Sequence, residues 1–489
     1  MESTFKKSIV SGLFWSFMGK SGYLIIGLIT NVVLTRLLSP FDFGRVGIVM
    51  FFIIISKVLT ESGLGGALIR KTETTEEDYS TVFIFNLVIS IVLMLLLIIF
   101  SEQIAIFYKD PQLKYILIAS SSVLLINAFQ ITQNVKLIRD LKFKKKARYE
   151  IISIFIASTL GITLAVYGAG VWAIVVMQVT TALTLTLLLW VFEGTLKKIT
   201  FSRSSFRSLY KFGFNTTLAS VINSAFENIY QLILGRYFEI SQAGFFYQGK
   251  KLQEIPIGLI KSTTLGVVFT SLSQVQNDPK EFNYLYSRII RVLTVIVGLI
   301  CLLVYFYAEN IILLLYGVKW IESIFYMKIL IIASFFYMQE MFNRIIFKVY
   351  DKTEKILYLE VIKKIIQSIT VVIGVVYMDI KIILYGYLIT SVISFLINYF
   401  VSSKITNNYS YSELLMIFKV IGISIGTVMV GELFSLLLNL ESFELFILIP
   451  FMVIIFMISI HIFRVLDVKK EVSTLLRLVK SKKGVDIIE

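Results

Sequence analysis

The sequence predicts an all-α polytopic membrane protein: fourteen transmembrane helices, forming two six-helix lobes around a central cavity plus two extra C-terminal helices. Three observations carry the helical membrane class, and the arrangement in lobes rests on an internal repeat. Apolar residues make up 57% of the 489 positions and charged ones only 16%, against about 45–50% and about 25% in an ordinary soluble domain. The apolar residues gather into continuous Ile/Leu/Val/Phe-rich runs, close to the roughly 20 residues a helix needs to cross the hydrocarbon core. These runs lack the strict apolar–polar alternation of β-barrel strands.

In chain order the runs fall near 10–36, 43–65, 80–101, 114–134, 150–167 and 171–192. A second series follows near 210–235, 244–270, 286–307, 324–347, 356–377, 382–402, 415–437 and 443–465. Short stretches such as Gly168–Gly170 and Met378–Lys381 read as tight turns between neighbouring spans. The expected organisation is an N-terminal lobe over 1–200, a C-terminal lobe over 201–405, an appended helix pair over 406–466 and a basic tail over 467–489. Within that tail Val468, Val472, Leu475, Leu476 and Val479 recur at helical spacing, the pattern of an interfacial helix. Lys6 and Lys7 precede an apolar stretch without a small-residue cleavage site, so the first helix is expected to be a retained span.

Basic residues orient these spans. Lys136, Arg139, Lys142, Lys144, Lys145, Lys146 and Arg148 crowd one loop, and Lys197, Lys198, Arg203, Arg207 and Lys211 the next on the same side. By the positive-inside rule both loops, the basic tail and both termini are expected in the cytoplasm. The formal charge of +15, from 47 Lys+Arg against 32 Asp+Glu, is thus a topology signal rather than a nucleic-acid footprint.

Composition also excludes chemistries. A single cysteine, Cys301, leaves no disulfide framework, and a single histidine, His461, leaves little for a metalloenzyme or a His-dependent hydrolase. Gly244 to Lys250 follows the phosphate-loop pattern, but Lys251 stands where that motif needs a hydroxyl for Mg²⁺. No nucleotide site, catalytic residue, metal or cofactor is expected.

A shift of 200 residues reveals a partial internal repeat. Arg36 is followed eight residues later by Gly44, and Arg236 eight later by Gly244. Both pairs sit where an odd-numbered span leads into an even one, as two parallel halves of a transporter would place them.

The motifs taken in order resemble a known family. They are Arg36-Leu37-Leu38-Ser39-Pro40 with Phe43-Gly44, the Gly63–Ile69 run, Arg139–Lys144, Gly168–Ala173, Asn228 to Gly235-Arg236, Gly244–Tyr247 and Tyr316–Trp320. Over about residues 8–350 they resemble Wzx-type lipopolysaccharide/teichuronic acid flippases of the multidrug/oligosaccharidyl-lipid/polysaccharide exporter superfamily. Thr270 departs from the family, where relatives usually carry a proline. The resemblance implies movement of an undecaprenyl-pyrophosphate-linked oligosaccharide from the inner to the outer leaflet of a bacterial cytoplasmic membrane. It implies alternating access rather than enzymatic chemistry, with a polysaccharide polymerase or export machinery as partner. The alternative is a small-molecule or multidrug cation antiporter of the same superfamily.

Ionisable residues within spans lead towards the same place. Each costs at least about 2.5–3.5 kcal/mol at a span centre, so such groups usually face a cavity or a partner. Lys20, Lys57, Lys250 and Lys261 are the candidate substrate-binding cations, with Arg36 and Arg236 at span ends. Glu61, Glu227 and Glu254 are candidates for coupling H⁺ or Na⁺. Lys57 and Glu61 are four residues apart, as are Lys250 and Glu254, and Lys261 returns to the Glu254 face. Two readings stand for these pairs: self-neutralising structural contacts, or the wall of a cavity for an anionic head group. Lys251, Lys328, Glu340 and Lys419 lie near enough to span ends to snorkel. Trp15, Tyr23, Tyr230, Tyr237, Phe245, Phe246 and Tyr247 are expected mainly as packing or interfacial residues.

Overall fold

The computed structural model describes residues 2–61, 63–194, 199–406, 411–439 and 444–466. The expected interfacial tail helix lies outside them. The described chain is helical almost throughout. Its first nine helices are α1 (Glu2–Leu37), α2 (Pro40–Glu61), α3 (Leu64–Arg70), α4 (Glu76–Tyr108), α5 (Gln112–Arg139), α6 (Phe143–Val166), α7 (Val171–Glu193), α8 (Arg203–Tyr237) and α9 (Ile240–Gln274). There follow α10 (Pro279–Phe306), α11 (Ala308–Leu315), α12 (Ser323–Val349), α13 (Thr353–Val376), α14 (Ile380–Thr406), α15 (Tyr411–Leu437) and α16 (Leu448–Ile462).

Each of the fourteen expected spans coincides with a long helix, but only twelve spans among the described residues are long and apolar enough to cross a membrane. The two others are α8 and α13, the expected seventh and eleventh spans: α8 is rich in uncharged polar residues such as Asn223, Asn228 and Gln231, and α13 carries more charge. In α13 the reason is local: Glu360, Lys363 and Lys364 find partners on and around α12 instead of lipid. Elsewhere large apolar side chains such as Ile99, Phe155, Leu187 and Ile454 remain exposed on the helix surfaces, as lipid contact requires.

The chain divides into two compact units. The first is Met1–Tyr247 with Leu315–Trp320; the second is Gln248–Leu314 with Ile321–Glu489. The division therefore does not fall at 200/201, because α8 packs on α2, α3 and α4. Nor do α15 and α16 stand apart as an appendage. Val420, Met452 and Phe456 share one core with Val297, Leu302 and Tyr307 of the second unit.

Within the first unit, the 200-residue repeat has a packing explanation. A Cβ on Gly44 would lie 2.7 Å from the Ile240 carbonyl carbon, and one on Gly244 would lie 2.9 Å from both the Pro40 carbonyl carbon and the Gly44 nitrogen. The α1–α2 corner and the α8–α9 corner thus cross backbone to backbone, each glycine making room for the other corner.

Segment 315–320 joins this unit from far along the sequence. The Trp320 indole N–H donates to the Thr35 carbonyl (2.9 Å), and Lys319 Nζ donates to the carbonyls of Arg36 (2.7 Å) and Leu38 (2.5 Å). These carbonyls close the C-terminal end of α1, where helix carbonyls lack intrahelical donors and a cation is favoured. Asn31 Nδ2 donates to the Tyr316 hydroxyl (2.9 Å), and Arg36 Nε donates to the Leu315 carbonyl (3.0 Å). Gly317 has φ +91, a backbone that favours glycine, and Trp320 is buried against Phe43 and Phe245.

In the second unit, α12 is the most deeply enclosed span and packs on α10, α13 and α14. It carries a buried ion network. Glu340, fully buried, accepts from Lys363 at 2.9 Å and pairs with Arg344 at 2.7 Å. Arg344 also pairs with Glu360, which meets Lys364 at 3.7 Å. Glu340 therefore does not snorkel. Its partners on α12 and α13 replace the water it would otherwise have to reach.

Candidate functional site

The first unit holds a cavity of about 570 Å³ lined by six helices, α2, α3, α5, α6, α7 and α8. The last turns of α2 contribute Lys57, Thr60 and Glu61, and the Gly63–Gly66 turn with α3 forms one rim. The C-terminal half of α5 presents Asn127, Gln130 and Asn134, the start of α6 presents Lys146 and Glu150, and α8 presents Thr217 and Ser220. Leu124, Ile131, Val135 and Leu185 supply apolar wall between them.

Local sequence explains why this cavity stays formed. Arg139, at the end of α5, donates to the carbonyls of Leu68, Lys71 and Thr72 and so closes the end of the short helix α3. Thr75 and Asp78 cap each other's backbone at the start of α4: Asp78 N donates to Thr75 Oγ1 (3.3 Å) and Thr75 N to Asp78 Oδ2 (2.9 Å). Lys71 Nζ donates to the same Asp78 oxygen at 2.7 Å. The rim is thus pinned by two of the sequence motifs, the glycine run at 63–66 and the Arg139 loop.

The electrostatics of the wall are balanced. Lys57 and Glu61 face each other at 3.9 Å with side chains 54% and 58% exposed. Such an exposed pair contributes only about 0–1 kcal/mol of stability, so the fold does not require it. A second pair one helical turn apart, Lys146 with Glu150, stands in the same wall. On α5, Gln130 Nε2 donates to Asn127 Oδ1, while Gln130 Oε1 and Asn134 Oδ1 receive no donor.

Of the residues singled out from sequence, only Lys57 and Glu61 lie together in this cavity. Lys20 is exposed on α1 and Glu227 is exposed on α8; neither is in its wall. Arg36 is tied to α11 as described above. Arg236 stacks over the Phe107 ring (4.4 Å) beside a smaller cavity of about 260 Å³ that includes Tyr108, Lys109 and Glu239. Lys250 pairs with Glu254 at 3.5 Å, and Lys261 Nζ donates to the Tyr337 hydroxyl at 2.8 Å. These last three belong to the second unit. Tyr230, Phe245 and Phe246 are buried packing residues, as expected.

Sequence reasoning missed the amides of α5 and the Lys146–Glu150 pair. Asn127, Gln130 and Asn134 recur at helical spacing within an otherwise apolar span, a readable signal that attention to charges alone passed over. The charge pattern puts Lys146 in a basic loop, whereas α6 already begins at Phe143 and turns it inwards. Among the described residues no group of three His, Cys, Asp or Glu side chains is placed to hold a metal ion.

Comparison with known proteins decides the family. Residues 33–325, more than half of the chain, match the family described as polysaccharide biosynthesis protein. The chain belongs to that family. Among curated relatives, the succinoglycan biosynthesis transport protein ExoT of Rhizobium meliloti (strain 1021) is 24% identical over 314 residues, covering 64% of each chain. The lipopolysaccharide biosynthesis protein WzxC of Escherichia coli (strain K12) is 21% identical over 321 residues, again 64% of each. The teichuronic acid biosynthesis protein TuaB of Bacillus subtilis (strain 168) is 20% identical over 338 residues, covering 67% of this chain and 68% of its own. This chain thus spans a little under two thirds of the length of the first two.

Its fold is that of solved transporters. The lipid II flippase MurJ in an inward closed conformation superposes with a TM-score of 0.73 at 17% identity, covering 93% of this chain and 98% of that one. An inward-facing multidrug resistance MATE family transporter of the MOP superfamily gives 0.57 at 17% identity, over 79% and 96%. This family member is accordingly a multi-pass membrane protein with the MurJ/MATE fold and bacterial relatives.

Proposed function

We propose that this protein is a flippase that carries a lipid-linked oligosaccharide, of the undecaprenyl-pyrophosphate type, from the inner to the outer leaflet of the bacterial cytoplasmic membrane. The observation that carries the proposal is a polar cavity inside a bundle of membrane helices, at the end that bears the basic residues of the α5–α6 connection, Arg139, Lys142 and Lys146. With both termini in the cytoplasm, that end faces the leaflet where such a cargo is made. Moving the head group through lipid is prohibitive, since even one buried charge has an idealised cost of order 20 kcal/mol. The polyprenyl chain meanwhile can stay in the bilayer. A wet path for the head group alone is what the transport needs, and the family's polysaccharide transporters and the MurJ-like fold support this reading.

No covalent chemistry and no nucleotide enter this mechanism. Lys20, Lys250 and Lys261 are the cations offered to the diphosphate, and Glu61, Glu227 and Glu254 the carboxylates offered to a coupling H⁺ or Na⁺. A polysaccharide polymerase or export complex is the natural recipient of the cargo. A multidrug cation antiporter fits less well: it would favour surplus carboxylates and aromatic faces, whereas the cavity's described lining has as many lysines as glutamates and no aromatic ring.

The test is reconstitution in vesicles with a fluorescent lipid-linked glycan in the inner leaflet. The protein should expose the label to an outside lectin without nucleotide. Strict ATP dependence, or exposure no faster than in empty vesicles, would defeat the proposal.

A further inference from the structure

We infer that the cavity of the first unit is a carbohydrate subsite: it takes neutral, hydroxyl-rich sugars and turns away the phosphate linkage. The inference rests on the flippase reading for the identity of the cargo, but not for the chemistry of the wall.

Charge is the first argument. Among the described residues, the charged lining consists of two lysines and two glutamates, each lysine matched by a glutamate one turn away. A dianion entering here gains no net positive potential and approaches two carboxylates. Lys57, which the sequence alone offers as a diphosphate ligand, is already balanced by Glu61.

Hydrogen-bond polarity is the second. Asn127, Gln130 and Asn134 line one face of α5, and one of the two Gln130 amide N–H groups donates to Asn127. Gln130 is only 9% exposed, yet its Oε1 has no donor, and neither does Asn134 Oδ1. Both oxygens belong to residues of the cavity wall but have almost no accessible surface themselves, so a donor reaches them only if the amides turn towards the cavity; a buried acceptor without a donor is unfavourable and favours that turn. Phosphate oxygens at neutral pH only accept and cannot meet that need. A sugar hydroxyl or an acetamido N–H can donate. The interleaved Leu124, Ile131 and Val135 offer apolar surface to the C–H faces of a pyranose, and the cavity's about 570 Å³ falls within the roughly 300–1,000 Å³ of small-molecule sites.

The test uses the full chain in lipid nanodiscs, free of sugar-based detergent, and saturation-transfer NMR. The probes are cellobiose, lactose and N,N′-diacetylchitobiose, their permethylated forms, and inorganic pyrophosphate as competitor. At least one native disaccharide should give transfer signals that pyrophosphate in large excess leaves in place, and its permethylated form should be silent. Gln130→Leu and Asn134→Leu should each weaken binding about 3- to 10-fold, the loss of one net hydrogen bond. The permethylated ligands keep the test valid should a variant fold poorly. Displacement by pyrophosphate, equal binding of a permethylated sugar, or silence from all three disaccharides would overturn the inference. Sugar binding by a protein that fails to move lipid-linked glycan in vesicles would overturn the transport proposal alone. Transport without sugar binding would overturn the subsite alone.

Discussion

Placing a methyl group on Gly44 forces apart two backbones that now touch. The new Cβ would lie 2.7 Å from the Ile240 carbonyl carbon and 2.8 Å from Ile240 Cγ2, where ordinary van der Waals contact begins at 3.4 Å. The Ile240 carbonyl oxygen lies closer still, so the α1–α2 and α8–α9 corners must part by more than about 0.7 Å. Neither partner is a flexible side-chain tip that can swing aside. The same crossing holds Trp320 edge-on to Phe43 (5.4 Å) and Phe245 (5.9 Å), contacts that add about 0.5–1.5 kcal/mol each beyond their burial. Overpacking of about 1–3 kcal/mol is thus expected for Gly44→Ala, and similarly for Gly244→Ala. Because one separation relieves both methyl groups, the double variant should cost little more than the worse single one, a clear failure of additivity. Gly258→Ala is the control, since a Cβ there meets nothing within 4 Å and should stabilise the helix by up to about 1 kcal/mol. Unfolding in detergent, followed by tryptophan fluorescence, measures all four. If Gly44→Ala is as stable as Gly258→Ala, or if the two glycine variants simply add, the reciprocal crossing is not the reason for the repeat.

Three further outcomes are expected. Lys319→Met removes the donor that closes α1 and should lower stability by about 1–2 kcal/mol in the same unfolding assay, while Lys352→Met should not. Arg344→Met strands the fully buried Glu340 with only part of its counter-charge and should cost about 3–5 kcal/mol, whereas the pair Glu340→Gln with Lys363→Met should cost less, because Arg344 still pairs with Glu360. Lys20→Ala or Lys250→Ala should abolish surface polysaccharide export with normal protein abundance in the membrane; undiminished export would remove those lysines from the mechanism.

The helices themselves were legible without coordinates, for a physical reason. In a bilayer every backbone N–H and C=O must be satisfied within its own segment, so each span announces itself as a local apolar run. The i,i+4 pairs were legible too, since helix geometry alone sets their neighbours. The family motifs were visible as strings, but their purpose was not. Gly44 and Gly244 make room for one another across 200 residues, and Tyr316–Trp320 closes a helix that ended nearly 280 residues earlier. The buried network shows the same limit: nothing near Glu340 in sequence reveals that Lys363 awaits it on the next helix.

Sequence by itself thus determined the membrane class and the long helices, because hydropathy and helix periodicity act over a few turns. Only the tertiary structure decided which of the intramembrane charges share a wall. It placed Lys57 beside Glu61, Lys146 and Glu150 in one neutral cavity and left Lys20 outside it, since the facing of a helix is set by what packs against it and not by its own composition.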